Sequence, residues 1–337
     1  MKYTTLGKTG LKVSVIGLGG IPVQNNDAEN CRKVIDACEE MGINFIDTAR
    51  GYTVSEEYIG AALEGRREKF VIATKTMARD YEGMKADIET SLKNLRTDYI
   101  DLYQMHNIKT DAEFETAFGE NGAYKALLEA KEAGKIGHIG ASAHSAEAFK
   151  RLITEFEEQI ETVMFPFNIV ETHGLELMRE SAEKNIAVIA MKPMAGGNLP
   201  DATLAMKYIL ANPDCTIAIP GMGTVEEVYQ NAAAADAGAL TEEDKAACAK
   251  LVEELGNQFC RRCGYCAPCP QGITIPSCFL FSNYLRNYGL GEWAKGRYWA
   301  MPATAEDCIK CGACEARCPY ELPIRDMLEK VAAEFKR

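Results

Sequence analysis

The chain reads as an α/β protein, a closed barrel of eight parallel strands followed by a small helical domain organised around cysteines. Three observations predict this. Eight short, β-rich apolar runs alternate with segments of helical period across the first 235 residues. At 337 residues and 47% apolar composition, the chain can bury one large core and a small appended one. Of 13 cysteines, eight fall in two short runs near the C-terminus. Alternating βα units of this number and size favour the (β/α)8 TIM barrel over an open doubly wound sheet.

In chain order, Tyr3–Val13, with Gly7 and Gly10 at its turn, reads as a hairpin capping the barrel floor. The strands are expected at Val13–Gly19, Asn44–Thr48, Phe70–Thr76, Tyr99–His106, Ile136–Ser142, Thr162–Asn168, Ala187–Pro193 and Thr216–Gly221. Helices are expected near Glu29–Met41, Ser55–Leu63, Lys85–Leu95, Ala123–Ala133, Ala146–Phe156, Leu175–Lys184, Thr203–Ala211 and Val225–Ala235. A polar helix, Glu242–Leu255, leads out of the barrel, which sets the domains at 1–255 and 256–337. Cys31, Cys38, Cys215, Cys248 and Cys278 read as core. The aromatics from Phe279 to Trp299 read as the core of the small domain.

The cysteine runs carry the most specific chemistry. Cys308, Cys311, Cys314 and Cys318 before Pro319 have the C-x2-C-x2-C-x3-C-P spacing of bacterial ferredoxins, and Cys260, Cys263, Cys266 and Cys269 before Pro270 repeat it with one residue fewer. In that spacing three thiolates hold one cube and the fourth reaches across to the other. The expected ligand sets of two [4Fe–4S] clusters are Cys260, Cys263, Cys266 and Cys318, and Cys308, Cys311, Cys314 and Cys269. Four-cysteine zinc sites more often arrive as two separated Cys-x-x-Cys pairs. Disulfides fit less well, because the N-terminal residues carry no secretory pattern and thiols stay reduced without export. A cytoplasmic location and no membrane span are therefore expected.

A net charge of −12 leaves no basic surplus to release counterions, which argues against a nucleic-acid partner. Residues 256–337 run the other way, with 11 Lys+Arg against 8 Asp+Glu, a balance that reads as local compensation, or as suiting negatively charged clusters or an acidic electron carrier.

A barrel presents its chemistry at the C-terminal ends of its strands. Asp47 ends the second expected strand, Lys75 stands near the end of the third, His106 ends the fourth, and Tyr52 follows Asp47 in the loop. A phenol near its ordinary pKa of about 10 donates a proton poorly unless its anion is stabilised. A cation about 4 Å away is worth roughly 4 kcal/mol at an effective dielectric near 20, before desolvation.

These residues resemble the aldo-keto reductase family. Phe45-Ile46-Asp47-Thr48-Ala49 with Gly51-Tyr52, Ala73-Thr74-Lys75, and Asp98 through His106 are similar to its Asp and Tyr segment, its Lys strand and its His strand, in order over residues 1–235. With the cysteine tail, the chain resembles the iron–sulfur-containing branch with a C-terminal ferredoxin-like domain. The resemblance implies carbonyl reduction or alcohol oxidation: Tyr52 as the acid, Lys75 lowering its pKa, Asp47 holding Lys75, and His106 fixing the carbonyl oxygen.

The resemblance also implies a nicotinamide dinucleotide across the barrel mouth, at Ser142, Asn168, Lys192, Pro193, Gly196, Gly221, Glu227 and Asn231. The sequence departs from the family pattern at Ala143, Met164 and Met191. No Arg stands in Gly221–Glu227 to clamp a 2′-phosphate, and acidic residues there favour NADH over NADPH. No flavin fingerprint is evident: Gly17-Leu18-Gly19-Gly20 is too short and reads as a close turn. The clusters then serve as a relay from an external ferredoxin-type carrier or as a structural staple, and a flavin supplied by a partner subunit is a third account. A different class of function, a non-catalytic redox-sensing or electron-transfer subunit that keeps a dinucleotide-binding barrel, stays open at this point.

Overall fold

The computed structural model describes residues 1–255, 259–262, 264–318 and 320–336. They form two compact units, one of Met1–Asn168, Thr172–Met194 and Asp201–Leu240, the other of Ile169–Glu171, Ala195–Pro200 and the chain from Thr241 onward.

The first unit opens with a hairpin. Strands β1 (Tyr3–Thr5) and β2 (Lys12–Ser14) are antiparallel, with Tyr3 opposite Ser14. Eight parallel strands follow: β3 (Leu18–Gly19), β4 (Phe45–Asp47), β5 (Val71–Thr76), β6 (Ile100–Met105), β7 (Ile136–Ser142), β8 (Thr162–Pro166), β9 (Ala187–Met191) and β10 (Ile217–Ile219), each beside the next in chain order. Bridges Ile16↔Ala218 and Gly19↔Gly221 join the first strand to the last and close the barrel. A Cβ on Gly19 would stand 2.8 Å from the Ile219 carbonyl oxygen, so the closing strands approach too closely for a side chain.

The first expected barrel strand, Val13–Gly19, is divided. Val13 pairs with Thr4 in the floor hairpin, and only Leu18–Gly19 joins the wall. The residues between them carry the chain from floor to wall, held by Gly17 N–H donating to the Ala218 carbonyl at 2.8 Å.

Helices α1 (Ala28–Glu40), α2 (Ser55–Ala62) and α3 (Tyr81–Asn94) follow β3, β4 and β5. After β6 come two, α4 (Asp111–Phe118) and α5 (Ala123–Glu132). Sequence periodicity predicts only the second. The first is set by a capping box in which Thr110 and Glu113 exchange side-chain and backbone bonds. Helices α6 (Ala146–Glu155), α7 (Leu175–Glu183), α8 (Ala202–Leu210) and α9 (Val225–Ala234) complete the outer ring.

Inside the barrel, Leu6, Phe45, Ala73, Leu102, Met164, Ile189 and Ile217 form a buried apolar plug. Residues in register on neighbouring parallel strands share a face. Ala73 pairs with Leu102 and Lys75 with Gln104, so Lys75 lies one layer above the plug on the same inward face. The apolar plug thus puts the polar layer at the C-terminal ends of the strands.

The second unit contains α10 (Glu242–Leu255), α11 (Ile275–Asn287), α12 (Gly291–Trp299) and α13 (Ile324–Glu334). Its own core gathers Ile275, Cys278, Phe279, Tyr298, Leu322, Leu328, Val331 and Phe335. Tyr298 stacks on Phe335 with ring centroids 3.9 Å apart. Among the described residues, no helix is long and apolar enough to cross a membrane.

Candidate active site and candidate metal centre

Lys75, on β5, points into the barrel beside Asp47 at the end of β4. Its Nζ donates to both carboxylate oxygens at 2.8 and 2.7 Å and to the Thr48 carbonyl at 2.9 Å, so all three ammonium donors are placed. Burial pushes the Asp47 carboxyl up and the Lys75 amine down, and each charge pulls its partner back toward ionisation. The same ammonium lies 4.8 Å from the centroid of the Tyr52 ring. The phenol meets the His106 ring edge-on, with centroids 6.1 Å apart. Tyr52 reaches this position because the loop after β4 turns tightly through Thr53 at φ +42 and Tyr52 N–H donates back to Ala49.

His106 is held by its backbone, N–H donating to the Thr76 carbonyl at 2.8 Å while its carbonyl accepts from Arg79 Nη2 at 2.6 Å. Its Nδ1 is sealed from solvent without a hydrogen-bond partner. Burial first, then the charges of Lys75, Arg79 and Lys192, hold the imidazole well below the usual histidine range. A neutral imidazole follows, able to donate one N–H to a substrate oxygen. Arg79 has no marker in the sequence: its role arises only because the loop after β5 folds back onto the His106 carbonyl.

The residues expected to hold a dinucleotide are distributed as follows. Ser142 ends β7, and its Oγ accepts from Asn107 N–H at 2.7 Å. Asn168 is buried and donates to the Lys192 carbonyl at 2.9 Å. Lys192 takes φ +57 and brings its Nζ to 3.2 Å from His144 Nδ1; Pro193 beside it is buried. Gly196, at φ +70, belongs to the second unit, where Asn287 donates to its carbonyl at 3.2 Å. Gly221 closes against Gly19.

Glu227 is engaged in the capping box of α9, where its carboxylate accepts from the Gly223 and Thr224 N–H groups at 2.6 and 3.1 Å. Asn231 donates to the Glu227 carbonyl at 2.8 Å, and its own Oδ1 is buried without a partner. That orphaned acceptor fits the amino group of a nucleotide base. Left-handed non-glycine backbone occurs at Asn107 and Lys192, within two residues of the ends of β6 and β9, and at Thr53 in the loop after β4.

In the second unit the two cysteine runs share one backbone pattern. Arg262 at φ +57 and Gly264 at φ +88 flank the position of Cys263, and Lys310 at φ +56 and Gly312 at φ +77 flank Cys311. Cys263 itself lies outside the described residues. Gly272 and Glu321, three residues beyond the last cysteine of each run, are both left-handed, and their N–H groups donate back to Cys269 and Cys318. Ile275 donates to Ile273 at 3.0 Å, as Ile324 does to Leu322 at 2.8 Å, where each run enters a helix. Turns of this kind point successive N–H groups inward, a geometry suited to anionic sulfur.

Cys269 of the first run lines one cavity together with Cys308, Cys311 and Cys314 of the second. Reciprocally, Arg317, next to Cys318, donates to the carbonyls of Cys266 and Pro268 at 2.9 and 2.7 Å. The donor set and the crossover fit two thiolate-ligated clusters. Among the described residues, no cysteine pair is bonded as a disulfide and no group of three side chains closes to a single-ion site.

Comparison with known proteins places these features. The sequence model described as "Aldo/keto reductase family" matches residues 15–203, and that of a "4Fe-4S dicluster domain" matches residues 259–323. Among curated relatives, uncharacterized oxidoreductase YqkF of Bacillus subtilis is 26% identical over 297 residues, covering 72% of this chain and 94% of the relative. Aldo-keto reductase YhdN of the same organism is 32% identical over 205 residues, 55% of this chain and 59% of the relative. L-galactose dehydrogenase of Arabidopsis thaliana is 26% identical over 287 residues, 69% and 88%. The solved holo structure of aldo-keto reductase AKR11C1 from Bacillus halodurans aligns with TM-score 0.64 at 27% identity, over 74% of this chain and 96% of that one.

Proposed function

The chain belongs to the aldo/keto reductase family and carries a 4Fe-4S dicluster domain, and on that premise we propose that it reduces a carbonyl compound, or oxidises the matching alcohol, at Asp47, Tyr52, Lys75 and His106. Relatives named as oxidoreductases and aldo-keto reductases agree with an enzyme of this class. The observation that carries the reading is the Lys75 ammonium beneath the Tyr52 ring, fixed by a buried carboxylate.

A bound nicotinamide supplies the hydride in such chemistry, and NADH is the proposed form. Ser142, Asn168, Lys192, Pro193, Gly196, Gly221, Glu227 and Asn231 are the residues proposed to hold it. Tyr52 gives its proton to the carbonyl oxygen. The Lys75 charge stabilises the phenolate left behind, and Asp47 keeps Lys75 charged in a buried site where burial alone favours the free amine. His106, kept neutral, donates its hydrogen bond to the same oxygen and so fixes the carbonyl for proton transfer.

Two [4Fe–4S] clusters, when bound, supply one-electron transfer. The proposed ligands are Cys260, Cys263, Cys266 and Cys318 for one, and Cys308, Cys311, Cys314 and Cys269 for the other. A relay role is supported by Cys311 of the second run, which is exposed beside Ile309, itself 61% exposed. An external one-electron carrier of ferredoxin type can approach there.

The test is anaerobic turnover of an aldehyde and ketone panel by the cluster-loaded protein with NADH or NADPH. Saturable oxidation of the dinucleotide, dependent on carbonyl, is the expected result. Absence of turnover with every carbonyl and both dinucleotides would sink the proposal.

A further inference from the structure

Tyr52 and Lys75 are carried by different elements, the loop after β4 and the strand β5, and Arg50 joins the two. Its backbone N–H donates to the Lys75 carbonyl at 2.9 Å. Its side chain donates through Nη1 to Glu56 Oε2 at 2.7 Å, and its Nε faces Asp87 Oδ1 at 3.6 Å. Glu56, in α2, has a side chain only 1% exposed. Its Oε1 also accepts from the Thr74 and Ser91 hydroxyls, each at 2.8 Å, and its Oε2 from Asn94 at 3.2 Å. Asp87, in α3, accepts from the Thr76 hydroxyl. Thr74 and Thr76 stand on either side of Lys75 along β5, so their side chains lie on the outer face of the strand while Lys75 faces the barrel interior. One buried ion pair therefore holds the loop of Tyr52 and grips β5 from behind, around Lys75.

We propose that Arg50, paired with Glu56, is a positioning residue for proton transfer: it fixes the Tyr52 phenol against the Lys75 ammonium and cancels the Glu56 charge behind them. A buried ion pair is weak evidence for stability, because packed apolar side chains serve as well; a fixed register is what the pair supplies here. The catalytic meaning of that register rests on the carbonyl reading above. Burial lowers the Lys75 amine most, and Asp47 and then Glu56 pull it back toward the charged form. Tyr103 of β6, bonded to Ser91 at 3.1 Å, and Asp87 are the other titratable groups facing the Arg50–Glu56 pair. Asp47 and His106 face the ammonium and the phenol. Without the Arg50 charge, Glu56 is uncompensated, which favours the protonated phenol and moves its ionisation to higher pH. Without Glu56, the guanidinium is uncompensated and moves that ionisation lower. An anchor that acts through packing alone does not move the two in opposite directions.

The experiment titrates phenolate absorbance against pH in the full-length, cluster-loaded protein, as the difference between each background and the same background carrying Tyr52→Phe. The backgrounds are wild type, Arg50→Gln, Glu56→Gln and the two combined. The Tyr52 midpoint is expected to rise by about half a pH unit or more in Arg50→Gln and to fall by about as much in Glu56→Gln. It returns to the wild-type value in the double variant, which leaves no buried charge unpaired. Arg50→Lys, which keeps the charge, also keeps the midpoint. Shifts that are not opposite in the two single variants overturn the proposal.

A kinetic arm separates this inference from the carbonyl reading. With an aldehyde turned over in the panel above, Arg50→Gln should lower kcat about tenfold or more while KM stays within about twofold, because the register matters most in the transition state. The double variant should show the same split, and it decides the matter if a single variant does not fold. A wild-type kcat in either, or a loss carried by KM instead, overturns the positioning role. Turnover without opposite midpoint shifts keeps carbonyl reduction and sinks this inference. Opposite shifts with no carbonyl turned over keep the coupling of Arg50 and Glu56 to Tyr52 and sink carbonyl reduction.

Discussion

Lys75 Nζ lies 2.7 Å from Asp47 Oδ2, with the two side chains only 2% and 4% exposed. A pair so deeply buried is held together by its geometry, because each charge alone is disfavoured there. Asp47→Asn removes the partner and leaves the ammonium uncompensated. The variant is expected to lose about 3–5 kcal/mol of stability or to discharge Lys75. Either way carbonyl reduction falls by about 10²–10⁴. Chemical denaturation and steady-state kinetics on the same preparation check both effects; unchanged turnover in Asp47→Asn contradicts the role given to the pair.

His106 sets a pH expectation. Its pKa is depressed in the folded protein by burial and then by Lys75, Arg79 and Lys192. The unfolded chain takes up a proton near about 6.5 while the folded one does not, so this residue withdraws stability as pH falls below that value. Above it, His106 contributes no pH dependence. Activity should therefore show no acidic limb near pH 6.5 from this ring. Arg79→Met, which removes one of the opposing charges, moves the limb upward. A wild-type profile falling with a midpoint near the ordinary histidine value would contradict a neutral, buried imidazole.

The cavity lined by Cys269 with Cys308, Cys311 and Cys314 makes a prediction about crossover. Cys269→Ser, although in the first run, should disturb the cluster of the second. Iron and sulfide assays should fall from about eight of each per chain toward about four. The remaining cluster should be the one altered by Cys318→Ser, as read by electron paramagnetic resonance. If Cys269→Ser and Cys266→Ser disturb the same cluster, the crossed assignment is wrong.

Much of this was legible in the sequence, and the remainder was not, for physical reasons. The barrel strands are short apolar runs with glycine or polar ends, so their number and order can be read directly. Asp47, Lys75 and His106 stand out as polar residues ending such runs, and the backbone repeat around Cys263 and Cys311 follows from the shared Cys-Gly-x-Cys pattern. The broken strand Val13–Gly19 was not legible, because an unbroken apolar run carries no mark where the chain passes from floor to wall. The helix Asp111–Phe118 was not legible from periodicity between His106 and Ala123, although Thr110 and Glu113 carry its capping signal. Arg79 was silent because its environment is made by a tertiary return of the loop, whereas Thr224 and Glu227 carried the same capping signal, by which the Glu227 carboxylate closes its own helix.

The central claim is that Tyr52 delivers the proton, with Lys75 beneath its ring making that possible. Tyr52→Phe deletes one oxygen from a half-buried ring and leaves its packing on His106 in place. The direct measurement is carbonyl-dependent NADH oxidation by this variant, beside its circular dichroism, iron content and NADH affinity. The account predicts a loss of about 10²–10⁴ in kcat with the other three retained. Turnover comparable to wild type in a folded, cluster-loaded Tyr52→Phe protein would contradict it.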